Sequence, residues 1–268
     1  MPIHQEPRRF RPAQHRRPVL AVALVALSLG LAHPGRAVAA DALVAVAANF
    51  ADAAKAIAQK YDAESGNHIT LTVASTGVIA AQVLKGAPFD VMLSADAVTP
   101  EALEKKGRVV TGSRFTYAVG KLALWAPGQA RIPDPAGFLT GAGLAHLAIA
   151  NPKLAPYGQA AEETLGAMGI KTQVAGKIVM GQNIGQTFAL VKSGAAPAGF
   201  VAYSSLKGPT APKGGAIWLV PQKDYTPIRQ DAALLSHGRD NPAAKGFLAF
   251  LKGKAAQAVK AEFGYGPA

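Results

Sequence analysis

"ALVAVAANFADAAKAIAQKYDAESGNHITLTVASTGVIAAQVLKGAPFDVMLSAD", Ala42 to Asp96, decides the fold. Its first seven residues, Ala42 to Ala48, form a short apolar run that reads as a buried strand. Asn49 follows, and a helical pattern begins at once, from Phe50 to Glu64, until Gly66 stops it. "HITLTVA" is a second strand, Val78 to Gly86 a second helix, and "FDVMLSA" a third strand with Asp96 at its end. "PEALEKKG" adds a short helix closed by Gly107. Three strand–helix pairs in a row predict an α/β fold, a parallel sheet covered by helices on both faces.

Beyond Arg114 the period changes. Phe115 to Trp125 reads as one long strand or two consecutive ones. "LAHLAIAN", "GKIVMGQ", "AGFVAYSS", "AIWLVP" and "RQDAALLS" are further strands. Helices are expected in "GQAAEETLGAMG", in "IGQTFALVKSG" and in the closing "PAAKGFLAFLKGKAAQAVKAEFG". The order predicts two lobes: residues 41–119 completed by 226–268, and residues 120–225. Two crossovers would act as a hinge, with a cleft between mostly parallel sheets. Ligands of open α/β sheets bind outside the carboxyl ends of the strands, which puts the strand-to-helix turns of both lobes on that cleft.

Residues 1–40 read as a separate segment. Five arginines up to Arg17, an apolar run from Pro18 to Ala32 and the small residues of "AVAAD" make a cleavable secretory signal peptide. The run is short for a membrane span, and no later segment is long and apolar enough for one. The remaining chain is therefore expected outside the cytoplasm, in the periplasm of a Gram-negative cell. The formal net charge is +12, of which six Arg and one Glu belong to residues 1–40. The other basic residues are dispersed, unlike a nucleic-acid stripe, so no nucleic-acid partner is expected. A positive field still favours encounter with small anions.

The chain has no cysteine, which excludes disulfides, thiolate catalysis and cysteine-ligated metals. Past residue 40 its histidines are His68, His146 and His237, with no metal-ligand spacing. No cofactor is expected.

Four strand-to-helix turns carry the chemistry: "AANF" (47–50), "ASTG" (74–77), "ANPKLAPYGQ" (150–159) and "GQNIGQ" (181–186). Each presents unpaired N–H groups and the positive end of a helix dipole. Each adds a neutral donor: Asn49, Ser75 or Thr76, Tyr157, and Asn183. Together such turns could surround a small anion. None contains a carboxylate. A partly protonated phosphate wants an acceptor, whereas a fully deprotonated tetrahedral dianion wants donors only. Sulfate, molybdate and tungstate fit that description. Apart from Lys153 the turns also lack cations, so neutral groups would carry the charge without a buried ion pair.

With these residues the chain resembles the periplasmic molybdate-binding proteins of molybdenum ABC importers, members of the class II periplasmic substrate-binding proteins. "VAVAANF", "STGVIAAQVLKGAPFDVMLSAD", "GSRFTYAVGKLALW", "IANPKLAPYG" and "GFVAYS" carry the resemblance over nearly the whole of residues 41–268. It implies a two-lobed binding-protein fold, a molybdate or tungstate ligand, and partnership with a membrane permease and its cytoplasmic ATPase. It also implies a monomer. Position by position, it implies oxyanion contacts from Asn49, Thr76, Tyr157 and the backbone N–H of Ile184. In other members the phenol comes from the strand ending "GFVA", where this chain has Ala202 and then Tyr203.

Two other readings fit parts of the sequence. One is a sulfate or thiosulfate carrier of the same fold, which differs in cavity size. The other is a serine acyl-transferase built on Ser204 and Lys207 of "SSLK", with "SGN" at Ser65 and "KSG" at Lys192. The order of those elements is wrong for that enzyme class, and no enzymatic activity is expected.

Overall fold

A computed structural model describes residues 39–209 and 211–267. The signal peptide expected in residues 1–40 lies, but for its last two positions, outside the described residues.

The first part of the chain runs β1 (Asp41–Ala47), α1 (Ala51–Ser65), β2 (His68–Ala74), α2 (Thr76–Leu84), β3 (Val91–Leu93), α3 (Val98–Lys105) and β4 (Phe115–Gly120). Next come β5 (Leu122–Ala126), α4 (Pro135–Thr140), β6 (Leu147–Ala150), α5 (Pro156–Ala167), α6 (Lys171–Val174), β7 (Ile178–Gly181) and α7 (Ile184–Lys192). β8 (Ala198–Ala202), β9 (Ala216–Leu219), β10 (Ile228–Leu234), α8 (Pro242–Lys252) and α9 (Lys254–Glu262) complete it.

The strands form two five-stranded sheets, β2-β1-β3-β10-β4 and β7-β6-β8-β5-β9. In the first, β1 pairs in parallel with β2 and β3, and β10 is antiparallel to both β3 and β4. In the second, β6 pairs in parallel with β7 and β8, and β5 is antiparallel to β8 and β9. Each sheet therefore has one reversed strand among four that share a direction, so both are mixed and mostly parallel. The stretch Phe115–Trp125 is two strands, one in each sheet, joined at Lys121. The chain returns to the first sheet through β10.

Alternation along the strands explains the layers. Val44, Val46, Val91 and Leu93 point to one face of the first sheet, against Ala54 and Ile57 of α1, Phe247 of α8 and Val259 of α9. Ala45, Met92 and Ala233 point to the other, against Ile79 and Val83 of α2 and Leu103 of α3. The second sheet is covered in the same way: Leu124, Leu147 and Ile149 meet Ala161 and Leu165 of α5, while Ala123, Ala148 and Val201 meet Val191 of α7.

Three details differ from the expectation. α4 begins in the loop after β5, where Asp134 caps it by accepting the Gly137 N–H at 3.0 Å and Pro135 opens it. α6 is a single further turn. The closing helix is two helices separated by Gly253, whose extended backbone (φ −74°, ψ 166°) ends α8 and caps α9. No described helix is long and apolar enough to cross a membrane.

Candidate functional site: a cavity lined by neutral donors

Four helix starts meet at one small cavity. From the first sheet, β1 passes into a 3-10 turn, Ala48–Phe50, and β2 passes through Ser75 straight into α2. From the second, β6 leads through Asn151–Ala155 into α5, and β7 leads through Asn183 into α7. The cavity, about 10 Å³ in volume, is lined by Ala47, Ala48, Asn49, Ser75, Thr76 and Ala95 on one side. Ala155, Pro156, Tyr157, Asn183 and Ile184 line the other. None of the eleven is charged. Among the described residues no group of His, Asp or Glu could hold a metal ion. A larger cavity at Tyr117, Lys260 and Tyr265 has no helix start, and its ammonium group is already bonded to the Tyr117 and Leu251 carbonyls at 2.9 and 3.1 Å.

All four residues expected to hold an oxyanion, Asn49, Thr76, Tyr157 and Ile184, line this cavity and are buried. Their bonding states differ. Asn49 Nδ2 donates to Gln230 Oε1 at 2.8 Å and to the Tyr265 hydroxyl at 3.3 Å. The Asn49 backbone carbonyl accepts from Tyr265 Oη at 2.6 Å and from Ser204 Oγ at 2.9 Å, which pins the turn from both sides. Asn49 Oδ1, by contrast, is buried with no partner. Thr76 Oγ1 accepts the Ala95 N–H at 3.0 Å, and its own proton remains available to a ligand.

Tyr157 is the second residue of α5, and its hydroxyl lies 3.4 Å from Gln230 Nε2. Burial, then the neighbouring Tyr265 and Tyr225, hold the phenol well above the ordinary tyrosine range, so it stays a protonated donor. Ile184 opens α7, and its N–H has no acceptor within its own helix. Asn183 plays a different part: its Oδ1 accepts the Gln186 N–H at 2.9 Å as an ordinary helix cap.

Ser75 is the residue that the resemblance passed over in favour of Thr76. Its Oγ is buried against the cavity with no hydrogen-bond partner. A buried hydroxyl without a partner is costly, and a ligand acceptor would relieve it. The signal was present, since "ASTG" offers two adjacent hydroxyls, but only the fold shows which one Ala95 occupies. Tyr203 does not line the cavity. Its ring lies beneath Lys207 Nζ at 5.2 Å.

Backbone contacts join the two sides. The Gly77 N–H donates to the Leu154 carbonyl at 3.0 Å, and a Cβ on Gly185 would come within 3.5 Å of Ala48 Cβ. Beneath the cavity lies a polar cluster without local sequence signal: Gln230, completely buried on β10, with Tyr117 and Tyr265. Tyr117 Oη lies 3.0 Å from both Gln230 Oε1 and the Ser94 carbonyl oxygen. Ser204 and Lys207, the elements of an acyl-transferase reading, are engaged elsewhere: the serine proton lies on the Asn49 carbonyl and the lysine over Tyr203.

Such an arrangement offers hydroxyl and helix N-terminal donors to one small anion and no carboxylate to oppose it. Comparison with known proteins agrees in kind. A model of the family described as bacterial extracellular solute-binding protein matches residues 42–266. The molybdate-binding protein ModA of Azotobacter vinelandii is 45% identical over 244 residues, 91% of this chain and 96% of that protein. ModA of Rhodobacter capsulatus is 44% identical, over 90% of this chain and 93% of that protein. The solved periplasmic molybdate-binding protein of Azotobacter vinelandii superposes with a TM-score of 0.80 at 34% identity, covering 85% of this chain and 99% of that one.

Proposed function

Because this chain belongs to the bacterial extracellular solute-binding proteins, in their molybdate-binding branch, we infer that it is the substrate-binding component of an ABC importer for molybdate. The observation that carries the reading is a cavity with only uncharged lining, where the Ser75 hydroxyl has no protein partner. Molybdate is the cargo, held by Asn49, Thr76, Tyr157 and the Ile184 N–H, with Ser75 as a fifth contact. Tungstate, of the same charge and shape, is taken by the same groups.

The two sheets act as two lobes, residues 41–119 with 226–268 and residues 120–225. The anion lands on one lobe and the other closes over it, a hinge motion around a ligand. Neutral donors suit this duty. They complement the dianion when the cleft is shut and leave no uncompensated buried cation when it opens. The protein works in the periplasm after removal of its leader, as a monomer, and delivers its cargo to a permease driven by a cytoplasmic ATPase.

Thermal unfolding of residues 41–268 with molybdate, tungstate, sulfate and phosphate tests the reading. A ligand at a thousand times its dissociation constant adds about 4 kcal/mol, which at this size raises Tm by about 10 °C. A rise with molybdate and tungstate alone supports it. An equal rise with sulfate makes the protein a general oxyanion carrier, and no rise with any ion removes the function.

A further inference from the structure

We propose that Gln230 is a positioning residue that decides which end of the Asn49 amide meets the oxyanion, through a coupled turn of the two amides. The proposal rests on the site reading above and goes beyond it, because Gln230 does not line the cavity.

In the structure the Asn49 nitrogen points to Gln230 and its oxygen is the partnerless end. That is the wrong end for an anion, since an amide oxygen offers only lone pairs. A half-turn of a primary amide exchanges oxygen and nitrogen with almost no change of shape. Asn49 alone cannot make it: its oxygen would then face Gln230 Oε1 at 2.8 Å, acceptor against acceptor. If both amides turn, the pairing with Gln230 is restored, and only the long 3.3 Å bond from Asn49 to the Tyr265 hydroxyl, whose proton stays on the Asn49 carbonyl, is given up. Gln230 Nε2 then donates to Asn49 Oδ1 over the same 2.8 Å and to Tyr117 Oη over 3.0 Å. Tyr117 in turn gives its single proton to the Ser94 carbonyl, also at 3.0 Å. The Asn49 nitrogen takes the place of the partnerless oxygen and becomes a donor to the ligand.

Tyr157 fits the same change. Its hydroxyl lies 3.4 Å from the Gln230 amide, beyond the range of about 2.5–3.0 Å for a good O–H···O bond. After the turn Gln230 presents an oxygen there, too far to hold the phenol proton, which stays available to the anion. Gln230 thus leaves the Tyr157 proton free in either orientation and acts on the ligand through Asn49 alone. Gly120 keeps the space for it: a Cβ there would overlap the Tyr157 hydroxyl and lie 2.6 Å from Gln230 Nε2.

The test is a double-mutant cycle read by calorimetric titration with molybdate. Asn49→Ala and Gln230→Leu should each weaken binding about ten- to a hundredfold, the loss of one hydrogen bond to a charged group. The double variant should bind no worse than Asn49→Ala alone, because Gln230 acts only through Asn49 and the effects of coupled residues do not add. Additive losses would mean that Gln230 merely supports the packing, and overturn the proposal. Unchanged affinity in Asn49→Ala would instead overturn the site reading. A weakened Asn49→Ala beside an unaffected Gln230→Leu would sink the amide turn alone. Gln230→Met, closer in volume, replaces Gln230→Leu if the latter does not fold. In the unaltered protein, with asparagine side chains labelled by nitrogen-15, molybdate should shift the Asn49 amide protons and slow their exchange. Unmoved Asn49 resonances in the saturated protein would overturn the proposal.

Discussion

The N–H of Gly77, in the first turn of α2, donates to the carbonyl of Leu154, just ahead of α5, at 3.0 Å, so a helix start packed on one sheet is bonded to the approach of a helix packed on the other. A Cβ on residue 77 would sit 3.2 Å from both Leu154 Cα and its carbonyl oxygen. Backbone cannot move aside as a side-chain tip can. Gly77→Val should therefore hold the two sides apart and weaken molybdate binding at least about tenfold, while the Tm of the unliganded protein changes little. Calorimetric titration beside thermal unfolding separates the two effects, and a variant that binds as tightly as the parent would contradict this role for the contact.

Ser75→Ala offers the reverse separation. The hydroxyl has no partner in the protein, so removing it breaks no internal hydrogen bond and relieves a buried polar group. The unliganded protein should be as stable as the parent or slightly more so. Molybdate affinity should fall by about 1–3 kcal/mol, the value of a hydrogen bond to a charged acceptor. Unchanged affinity would remove Ser75 from the set of contacts.

Gly120→Ala concerns the joint between β4 and β5. The added methyl would overlap the Tyr157 hydroxyl and press on Gln230. Overpacking of this kind costs about 1–3 kcal/mol in stability, and the displaced phenol should lower affinity as well. Pairing the change with Tyr157→Phe, which removes the overlapping oxygen but not the 2.6 Å approach to Gln230 Nε2, should recover part of the lost stability but none of the lost affinity.

Asp231 is buried on β10, bonded to Arg114 Nη1 and to Thr116 Oγ1, each at 2.8 Å. Arg114→Leu would leave that carboxylate buried without its cation. The expected loss is about 3 kcal/mol of stability, visible as a lower midpoint in urea. Molybdate affinity should be unchanged in the folded variant, because neither residue lines the cavity.

The acid side of the stability curve should carry a mark of Asp96. Burial raises the pKa of this carboxyl above its ordinary 3.8, against the lowering bonds from Thr99 and Ser94. Between the unfolded and folded values the native state holds the extra proton, so stability rises as pH falls through the folded value and levels off below the unfolded one. Asp96→Asn does not titrate and keeps an acceptor for the Thr99 N–H. Subtracting its pH–stability curve from the parent's should leave a difference that slopes only in that window. A flat difference would show that Asp96 titrates alike in both states.

Much of this was legible in local pattern because the strands announce themselves twice. Val44 and Val46 face α1 while Ala45 faces α2, so a run buried on both sides reads as continuous apolar sequence. The four helix starts were equally visible, since each follows a strand within a few residues. What stayed hidden depends on distant partners. Thr76 and Ser75 are indistinguishable until the Ala95 N–H, 19 residues away, takes one of them. Gln230 meets Asn49 across 181 residues, and a lone glutamine in "RQDAALL" carries no sign of that. α4 failed for another reason: six residues are too few to show a helical period, and only the Asp134–Pro135 start betrays it.

The bond from the Tyr265 hydroxyl to the Asn49 carbonyl spans 216 residues. A chain made from its N-terminus presents Asn49 early and Tyr265 only near completion. Contacts so distant in sequence form late, so the Asn49 turn is not braced until the far segment arrives. Folding is thereby put in order: an unfinished chain lacks this brace, and one wall of the cavity is completed only by the last residues to be made.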